Sequence, residues 1–358
     1  MKSIATIWVL VLLVSIANAE TPLVDFNSWA FQQPADDFSD DALLDLRHLN
    51  EAQSGQSGFV RLSDDGNSFA RGDGTPLRFW IVGTDGHRFQ PADMEVHARW
   101  LAKLGVNMTR LHVTVCDNKE GAEITDLNED LVDGVFRFIK AAKDNGIYVL
   151  ISPFYAHFDA PESWQLPGGK VDMEGLLFID PKVQQAYRHW TRQLYTQTNP
   201  YTGLAIKDDP TVAVLQIHNE DSLFFWTAQR LPDYHRALLS DQFSAWLTKK
   251  YGSLMEAWDS WGDGFKGNDP LDDLANGRLA CLRIYELTTD AKGAYERRIN
   301  DTAQFLAEYQ REFYASMGDY LRRDLGCKQL LNATNWRTAN DTKLKALERY
   351  SYHALVIR

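Results

Sequence analysis

The sequence predicts an α/β fold of the (β/α)8 TIM-barrel type, with about five to six of the eight strands present. Short, almost wholly apolar segments alternate with helical patterns, as in parallel sheets that helices cover on both faces. Glycine directly follows the first two helical patterns, at Gly105 and Gly146, where a helix commonly ends. No glycine-rich phosphate loop follows the first strand, which disfavours a doubly wound nucleotide-binding fold.

The alternation of strands and helices begins at residue 77 and is interrupted once. Predicted strands cover 77–84, 106–113, 147–154, 211–218 and 329–335, and a sixth is expected to start within 350–357. Helical spacing covers 93–104, 131–145, 181–198 and 342–350. The interruption is a helical insertion at about 222–328, between the fourth and fifth strands. Residues 76–358 are therefore predicted to form a partial barrel.

Two segments precede the predicted barrel. Residues 1–19 resemble a signal peptide, with Lys2, an apolar run over 4–16 and a small-x-small site at 17–19. The alternative is a first transmembrane helix, but the run is shorter than the roughly 20 residues that span a bilayer. Residues 20–75 are predicted to be an N-terminal extension with a hairpin around Asp65-Gly66-Asn67. We therefore expect a secreted or periplasmic protein that is free of the membrane after signal cleavage.

Composition narrows the class of partner. The net charge of −12 at pH 7 disfavours nucleic acid, which rewards clustered Lys and Arg. Aromatic residues make up 12% of the chain, including eleven tryptophans, and aromatic faces suit the stacking of sugar rings. We therefore expect a polysaccharide or oligosaccharide as the substrate, and the oligomeric state is left open.

The cysteines and histidines predict neither a disulfide framework nor a metal site. The spacing of Cys116, Cys281 and Cys327 matches no zinc pattern, and three cysteines are too few for a disulfide scaffold. One disulfide with a free thiol, or three buried thiols, are both compatible with the sequence. The histidines form no H-x-x-x-H pair, so no metal and no cofactor is expected.

The clearest candidate for chemistry is Asn219-Glu220, at the end of the fourth predicted strand. In (β/α)8 barrels, catalytic groups lie at the carboxyl ends of the strands. The alternative is the start of a helix, where Asp221 and Ser222 would cap and Glu220 would only lead in.

In these motifs the chain resembles the clan A glycoside hydrolases, and within them family 5-like cellulases and mannanases. The likeness covers about residues 59–352 and depends on the order of several short motifs. These motifs are Arg78-Phe79-Trp80, Gly105-Val106-Asn107, Arg110-Leu111-His112, Asn145 to Val149, Asn199 to Gly203, Lys207 to Pro210 and Asn219-Glu220.

The resemblance implies a retaining β-glycoside hydrolase that acts on β-glucan or β-mannan. It implies that Glu220 is the acid/base, and that Asn219 hydrogen-bonds the sugar 2-hydroxyl. Arg110 would hold the nucleophilic carboxylate ionised, although a structural ion pair is the alternative for that arginine. Further substrate-binding candidates at strand ends are His112, Asp85, His87, Tyr155, Trp226 and Trp336.

One departure from the family concerns the nucleophile, which the resemblance places at the end of strand seven. The sequence ends near the predicted start of strand six, and Glu348, in a helix before that point, is a poor substitute. We therefore expect a C-terminally truncated enzyme that is inactive or impaired. The alternative function is a non-catalytic carbohydrate-binding barrel.

Overall fold

A computed structural model describes residues 36–39, 42–262, 269–290, 292–335, 337 and 342–355. Contacts divide the chain into two compact units, Met1–Asp41 and Ala42–Arg358, and the fold described here is that of the second. The predicted signal peptide, Trp336 and residues 356–358 lie outside the described residues. Within the described ranges, no helix has the length and apolarity needed to cross a membrane.

A small antiparallel sheet opens the second unit. Its strands are β1 (Arg61–Leu62), β2 (Phe69–Ala70) and β3 (Pro76–Leu77), in the order β1-β2-β3. The turn between β1 and β2 has Gly66 in the left-handed region, and the Gly66 amide donates to the carbonyl of Ser63 at 2.9 Å. The antiparallel pair of β1 and β2 thus lies on either side of Asp65-Gly66-Asn67, where the hairpin is predicted.

A parallel sheet of five strands follows. Its strands are β4 (Ile81–Gly83), β5 (Met108–His112), β6 (Tyr148–Ser152), β7 (Val212–Gln216) and β8 (Leu330–Asn332), in chain order across the sheet. Every neighbouring pair is parallel, which confirms the α/β class and the predicted strand direction. Within the described residues, β4 and β8 each pair on one side only, so the sheet is open.

The first predicted strand, 77–84, is divided in the structure. Leu77 pairs with Phe69 in the antiparallel sheet, and the parallel strand starts only at Ile81. Between them, the Asn107 side chain accepts from the Trp80 amide at 2.7 Å and donates to the Arg78 carbonyl at 2.8 Å. The Asn107 side chain thus makes the hydrogen bonds to the backbone of residues 78–80 that a neighbouring strand would otherwise make.

Helices cover the sheet and fill the connections between its strands. They are α1 (Pro91–Lys103), α2 (Glu129–Asp144), α3 (Leu176–Ile179), α4 (Pro181–Thr196), α5 (Trp226–Arg230), α6 (Asp233–Tyr251), α7 (Leu254–Trp261), α8 (Ala294–Asp319) and α9 (Thr342–Tyr352). Asn128 caps α2 by accepting from the Leu131 amide at 3.1 Å, and Asp180 caps α4 from the Lys182 amide at 2.8 Å. Helices α5 to α8 lie between β7 and β8, where the insertion was predicted.

The predicted start of a sixth strand is wrong for its described part. Helix α9 continues to Tyr352, and a 3-10 turn covers His353–Leu355. The Ser351 hydroxyl, buried against α8, receives a hydrogen bond of 2.8 Å from Gln310. This contact holds the segment as a helix against α8, so the apolar residues after Tyr350 do not extend.

The two faces of the parallel sheet have different neighbours. Alternate side chains such as Leu111, Ile151 and Leu215 pack into the large core formed with the helices. On the other face, Met108 and Leu150 belong to a smaller apolar cluster that also contains Leu77 of the antiparallel sheet. Further along the strands this second face becomes polar, and the candidate site begins there.

Candidate functional site

A buried amide side chain connects the carboxyl ends of four strands. Gln216, the last residue of β7, lies 3.2 Å from the Ser152 hydroxyl of β6 and 3.5 Å from Arg110 Nε of β5. Its amide nitrogen also lies 3.1 Å from the side-chain oxygen of Asn335, which follows β8. Gln216 thus joins the carboxyl ends of β5, β6, β7 and β8, and this edge of the sheet is called the rim below. A polar residue within the apolar stretch 211–218 is visible in the sequence, but Gln216 is not among the predicted candidate residues.

Glu220 lies at this rim with an unusual backbone. Its φ of 41° falls in the left-handed region, which is costly for a residue with a Cβ atom. The preceding Asn219 amide donates to the Phe154 carbonyl at 2.9 Å, so the chain turns immediately after its last sheet bond. The half-buried Glu220 carboxylate accepts a hydrogen bond from Asn335 Nδ2 at 3.3 Å. Strain of this kind is concentrated at functional positions.

The alternative helix-start interpretation of this segment does not hold. The next helix begins at Trp226, and no side chain caps it. The Asp221 carboxylate instead accepts from the Gly175 amide at 2.8 Å, and the Ser222 hydroxyl donates to Gln310 at 3.3 Å. These two side chains therefore join the segment after Glu220 to other loops and helices.

Arg110 extends from β5 toward the same place. Its Nη2 atom donates to the side-chain oxygen of Asn219, which is 1% exposed. Burial lowers the pKa of Arg110, and the nearby charge of Glu220 opposes that shift. Among the described residues, no carboxylate lies within ion-pair distance of Arg110. The structural ion pair considered as the alternative role for this arginine is therefore not seen in the described structure.

The rings of His112, Tyr155 and His157 lie in contact with one another at this rim. The His112 ring meets Tyr155 edge-on at 4.6 Å between centroids, and Tyr155 stacks on His157 at 4.3 Å. Burial, and next the charge of Arg110, lower the pKa of His112, whereas Glu220 and Asp85 raise it. Burial, followed by the charges of Glu220 and Glu174, raises the pKa of Tyr155. Tyr155 also forms a parallel bridge with Asn219, so the Tyr155 and His112 rings lie close to Glu220.

The two candidates after β4, Asp85 and His87, differ in their exposure to solvent. Asp85 is exposed, and its carbonyl accepts from the Arg88 amide at 2.8 Å. His87 is 2% exposed and makes no side-chain hydrogen bond within the described structure. Burial, and then the charge of Arg88, lower the pKa of His87 to about 4. This burial puts His87 behind the rim, packed near α2, and leaves Asp85 as the accessible member of the pair.

Of the two tryptophans predicted to bind substrate, Trp226 lies in the described part of the chain. Trp226 begins α5 and is 58% exposed, six residues after Glu220 in the chain. Trp336 lies outside the described residues.

Glu174, in the loop after β6, lies at the rim but is not among the candidates predicted from the sequence. Its side chain is 9% exposed, lies 3.0 Å from His157 Nδ1 and accepts a hydrogen bond from Arg230. Burial raises the pKa of Glu174, with His157 and Arg230 acting against the shift. The surrounding segment has no helical or strand periodicity, so only the folded chain brings this carboxylate to the rim.

All three cysteines, Cys116, Cys281 and Cys327, are buried free thiols. Of the two states compatible with the sequence, the structure therefore shows three buried thiols. Burial raises the pKa of Cys281 and of Cys327 to about 12. Among the described residues, no group of three or more His, Cys, Asp or Glu side chains is arranged to hold a metal ion.

No protein-family model and no curated protein matches the chain. Among solved structures, the endo-1,4-β-mannanase from Rhizomucor miehei is 12% identical, over 83% of this chain and 99% of that chain, with a TM-score of 0.38. A glycoside hydrolase family 5 mannosidase from the same organism, in complex with mannosyl-fructose, is 11% identical over 83% and 97% of the two chains, with a TM-score of 0.36. A GH5_18 protein from Bifidobacterium longum subsp. longum is 17% identical over 49% of this chain and 40% of its own length, with a TM-score of 0.34. At such identities and TM-scores, these similarities assign neither a family nor an activity to this chain.

Proposed function

We propose that this chain carries the acid/base half of a retaining β-glycoside hydrolase site for a β-linked polysaccharide, β-glucan or β-mannan. The observation that supports the proposal most is the arrangement of Arg110, Asn219 and Glu220. These residues meet at the carboxyl ends of parallel strands, where (β/α)8 enzymes carry their chemistry. Glu220 also has its backbone in the left-handed region, and strained conformations of this kind cluster at active sites.

Each of the three residues has a role in that reaction. Glu220 would protonate the oxygen of the leaving sugar and later deprotonate the incoming water. Asn219, whose side-chain oxygen accepts from Arg110, would donate to the sugar 2-hydroxyl through its amide nitrogen, which is buried and has no hydrogen-bond partner within the described structure. Arg110 would keep a nucleophilic carboxylate ionised, since an adjacent guanidinium favours the charged form.

A retaining mechanism needs a second carboxyl group about 5 to 5.5 Å from the first. The resemblance places that nucleophile on strand seven, and the described parallel sheet has five strands. The proposal therefore includes closure of this sheet into an eight-stranded barrel by further strands, together with background activity for the 358-residue chain.

The open face of the sheet supports closure. A cavity of 540 Å³ lies over the face that a barrel would enclose. It is lined mainly by apolar side chains, including Leu62, Phe69, Phe79, Ile81, Met108, Leu150, Val214 and Leu330. Ile81, on the edge strand β4, is 51% exposed. Unpaired edges and an exposed apolar residue on the edge strand favour the addition of strands, and the interior of an eight-stranded barrel is just wide enough for side chains to fill.

We also propose that the protein is exported, on the basis of the apolar run over 4–16 and the small-x-small site at 17–19. Amino-terminal sequencing of the protein purified from the culture fluid or periplasm tests this proposal. A mature terminus at Glu20 supports export, and an intact Met1 in the cytoplasmic fraction contradicts it.

The second candidate is a non-catalytic carbohydrate-binding barrel, which is favoured because Glu174, the other buried carboxylate described at the rim, has both oxygens engaged by His157 and Arg230 and is not free to act as the nucleophile. Calorimetric titration with mannohexaose and cellohexaose, together with reducing-sugar release from mannan and β-glucan, separates the two. The experiment compares the 358-residue chain with a version extended by a natural strand six-to-eight segment. Turnover in the extended protein that Glu220→Gln removes supports the enzyme. Binding in both proteins with no turnover in either supports the binding barrel, and no binding in either refutes both.

A further inference from the structure

Glu174 is a buried carboxylate to which the proposed hydrolysis gives no role. Its Oε1 atom lies 3.0 Å from His157 Nδ1, and its Oε2 atom accepts a hydrogen bond from Arg230 Nη2. Because both oxygens are engaged, this carboxylate is not available to attack a sugar or to activate water. Its contribution must therefore come through the two side chains that it holds.

One partner connects Glu174 to the aromatic residues beside the acid. His157 stacks on Tyr155, and Tyr155 forms a parallel bridge with Asn219, directly before Glu220. The backbone next to Glu174 is fixed as well, since the Gly175 amide donates to the Asp221 carboxylate at 2.8 Å. The loop after β6 is thus bonded to the residues on both sides of Glu220.

The other partner connects Glu174 to α5. Arg230 is the last residue of this five-residue helix, and Trp226 begins it. Residues four apart lie on the same side of a helix, so the bond to Arg230 also orients Trp226. A helix this short is unstable by itself, and its position depends on tertiary contacts such as this one. A second contact, from Arg283 Nη1 to the Gln229 carbonyl at 2.9 Å, holds the same turn.

We propose that Glu174 is a positioning residue that fixes two aromatic surfaces: the stacked His157 and Tyr155 rings next to Asn219 and Glu220, and the exposed Trp226 on α5. The flat apolar faces of these rings suit the C–H faces of a neutral pyranose in a β-linked chain. The part that concerns sugar recognition rests on the proposed function, whereas the fixing of α5 by Glu174 does not.

Hydrogen exchange and sugar titration of the full chain test the two parts separately. The variants are Glu174→Gln, Trp226→Ala and their combination. Asp159→Asn is the matched control, because Asp159 pairs with Lys170 at 3.9 Å in the same loop but on the exposed surface. In Glu174→Gln, amides over 226–231 should exchange at least about tenfold faster, as expected when a local contact that limits opening is lost. The control should leave this exchange unchanged.

For binding, mannohexaose and cellohexaose are titrated by calorimetry. Each single variant should weaken binding of the preferred hexaose by about tenfold, equal to 1.4 kcal/mol, and the double variant should weaken it no further. Additive losses would show that Glu174 does not act through Trp226 and would overturn the recognition part. If the wild-type chain binds neither hexaose, the recognition part fails, whereas the proposed function is decided by the protein extended with strands six to eight.

The exchange measurement decides the positioning part in every case. Unchanged exchange over 226–231 in Glu174→Gln would overturn it. Arg230→Gln provides the second variant, since it removes the same contact from the α5 side and should reproduce the faster exchange. A fall in exchange protection across all strands would instead identify a general loss of stability, which also contradicts a positioning role.

Discussion

His218 predicts a loss of stability in acid that can be traced to one side chain. It is 1% exposed, lies directly before Asn219, and packs edge-on against Phe178 with ring centroids 5.0 Å apart. Burial lowers its pKa from 6.5 to about 4, and the hydrogen bond with the Asp221 carbonyl only partly opposes this shift. The folded protein therefore keeps this ring neutral in a pH range where the unfolded chain protonates it.

The sign and size of the effect follow from that difference. The contribution of His218 to stability is fully present above pH 6.5, and it is lost as the pH falls from 6.5 toward 4, because protons bind the unfolded state more strongly. At 1.36 kcal/mol per pKa unit, the shift corresponds to roughly 3 kcal/mol at pH 4. His87, whose pKa is also lowered to about 4, should contribute a similar amount. Since a domain is stable by only about 5–15 kcal/mol, acid alone should bring this protein close to unfolding.

Urea unfolding at pH 7.5, 6, 5 and 4.5 measures this dependence. His218→Phe keeps a ring in the aromatic pocket but removes the titrating group, so its stability should fall less steeply with acid than that of the wild type. His189→Gln, at an exposed histidine, is the control and should leave the slope unchanged. An identical pH dependence in His218→Phe and the wild type would refute the reasoning.

Three further predictions concern activity, packing and thiol chemistry. The 358-residue chain should hydrolyse aryl β-glycosides at background. In a protein extended by strands six to eight, Glu220→Gln should slow poor leaving groups far more than good ones; equal losses on initial-rate assays would remove Glu220 from the acid role. Gly134→Ala should destabilise the protein by about 1–3 kcal/mol in urea unfolding, because the new Cβ would lie 2.1 Å from the His87 carbonyl oxygen. Gly83→Ala, with open space around its Cβ, is the control, and equal stabilities would show that the backbone relaxes freely. The three buried thiols should react with Ellman's reagent only as fast as the protein unfolds, and immediate reaction of any thiol in native buffer would contradict their burial.

The order of strands and helices could be predicted because it depends on local patterns. Apolar strands and glycine stops such as Gly105 and Gly146 are visible in the sequence, and the structure has them where expected. The errors arose where a distant residue decides the local conformation. Asn107 replaces a strand at Arg78 and Trp80, and Gln310 holds Ser351 in a helix where a strand was predicted.

The site divides in the same way. Asn219, Glu220 and Arg110 could be selected because they follow or lie within recognisable strands, and the structure brings Arg110 and Asn219 into contact. The roles assigned to them remain predictions. Glu174 could not be selected, because it lies in an irregular loop and acquires its surroundings from Arg230, more than fifty residues later in the chain.

The backbone conformation at residue 220 lowers the stability of the fold but carries the proposed catalytic acid. A φ of 41° suits glycine or asparagine, and a glutamate there costs on the order of 1–3 kcal/mol. Variants selected only for heat resistance should therefore accumulate glycine or asparagine at this position, and they would lose the acid in gaining stability. A replacement that would favour the fold at this position would therefore remove the residue on which the proposed reaction depends.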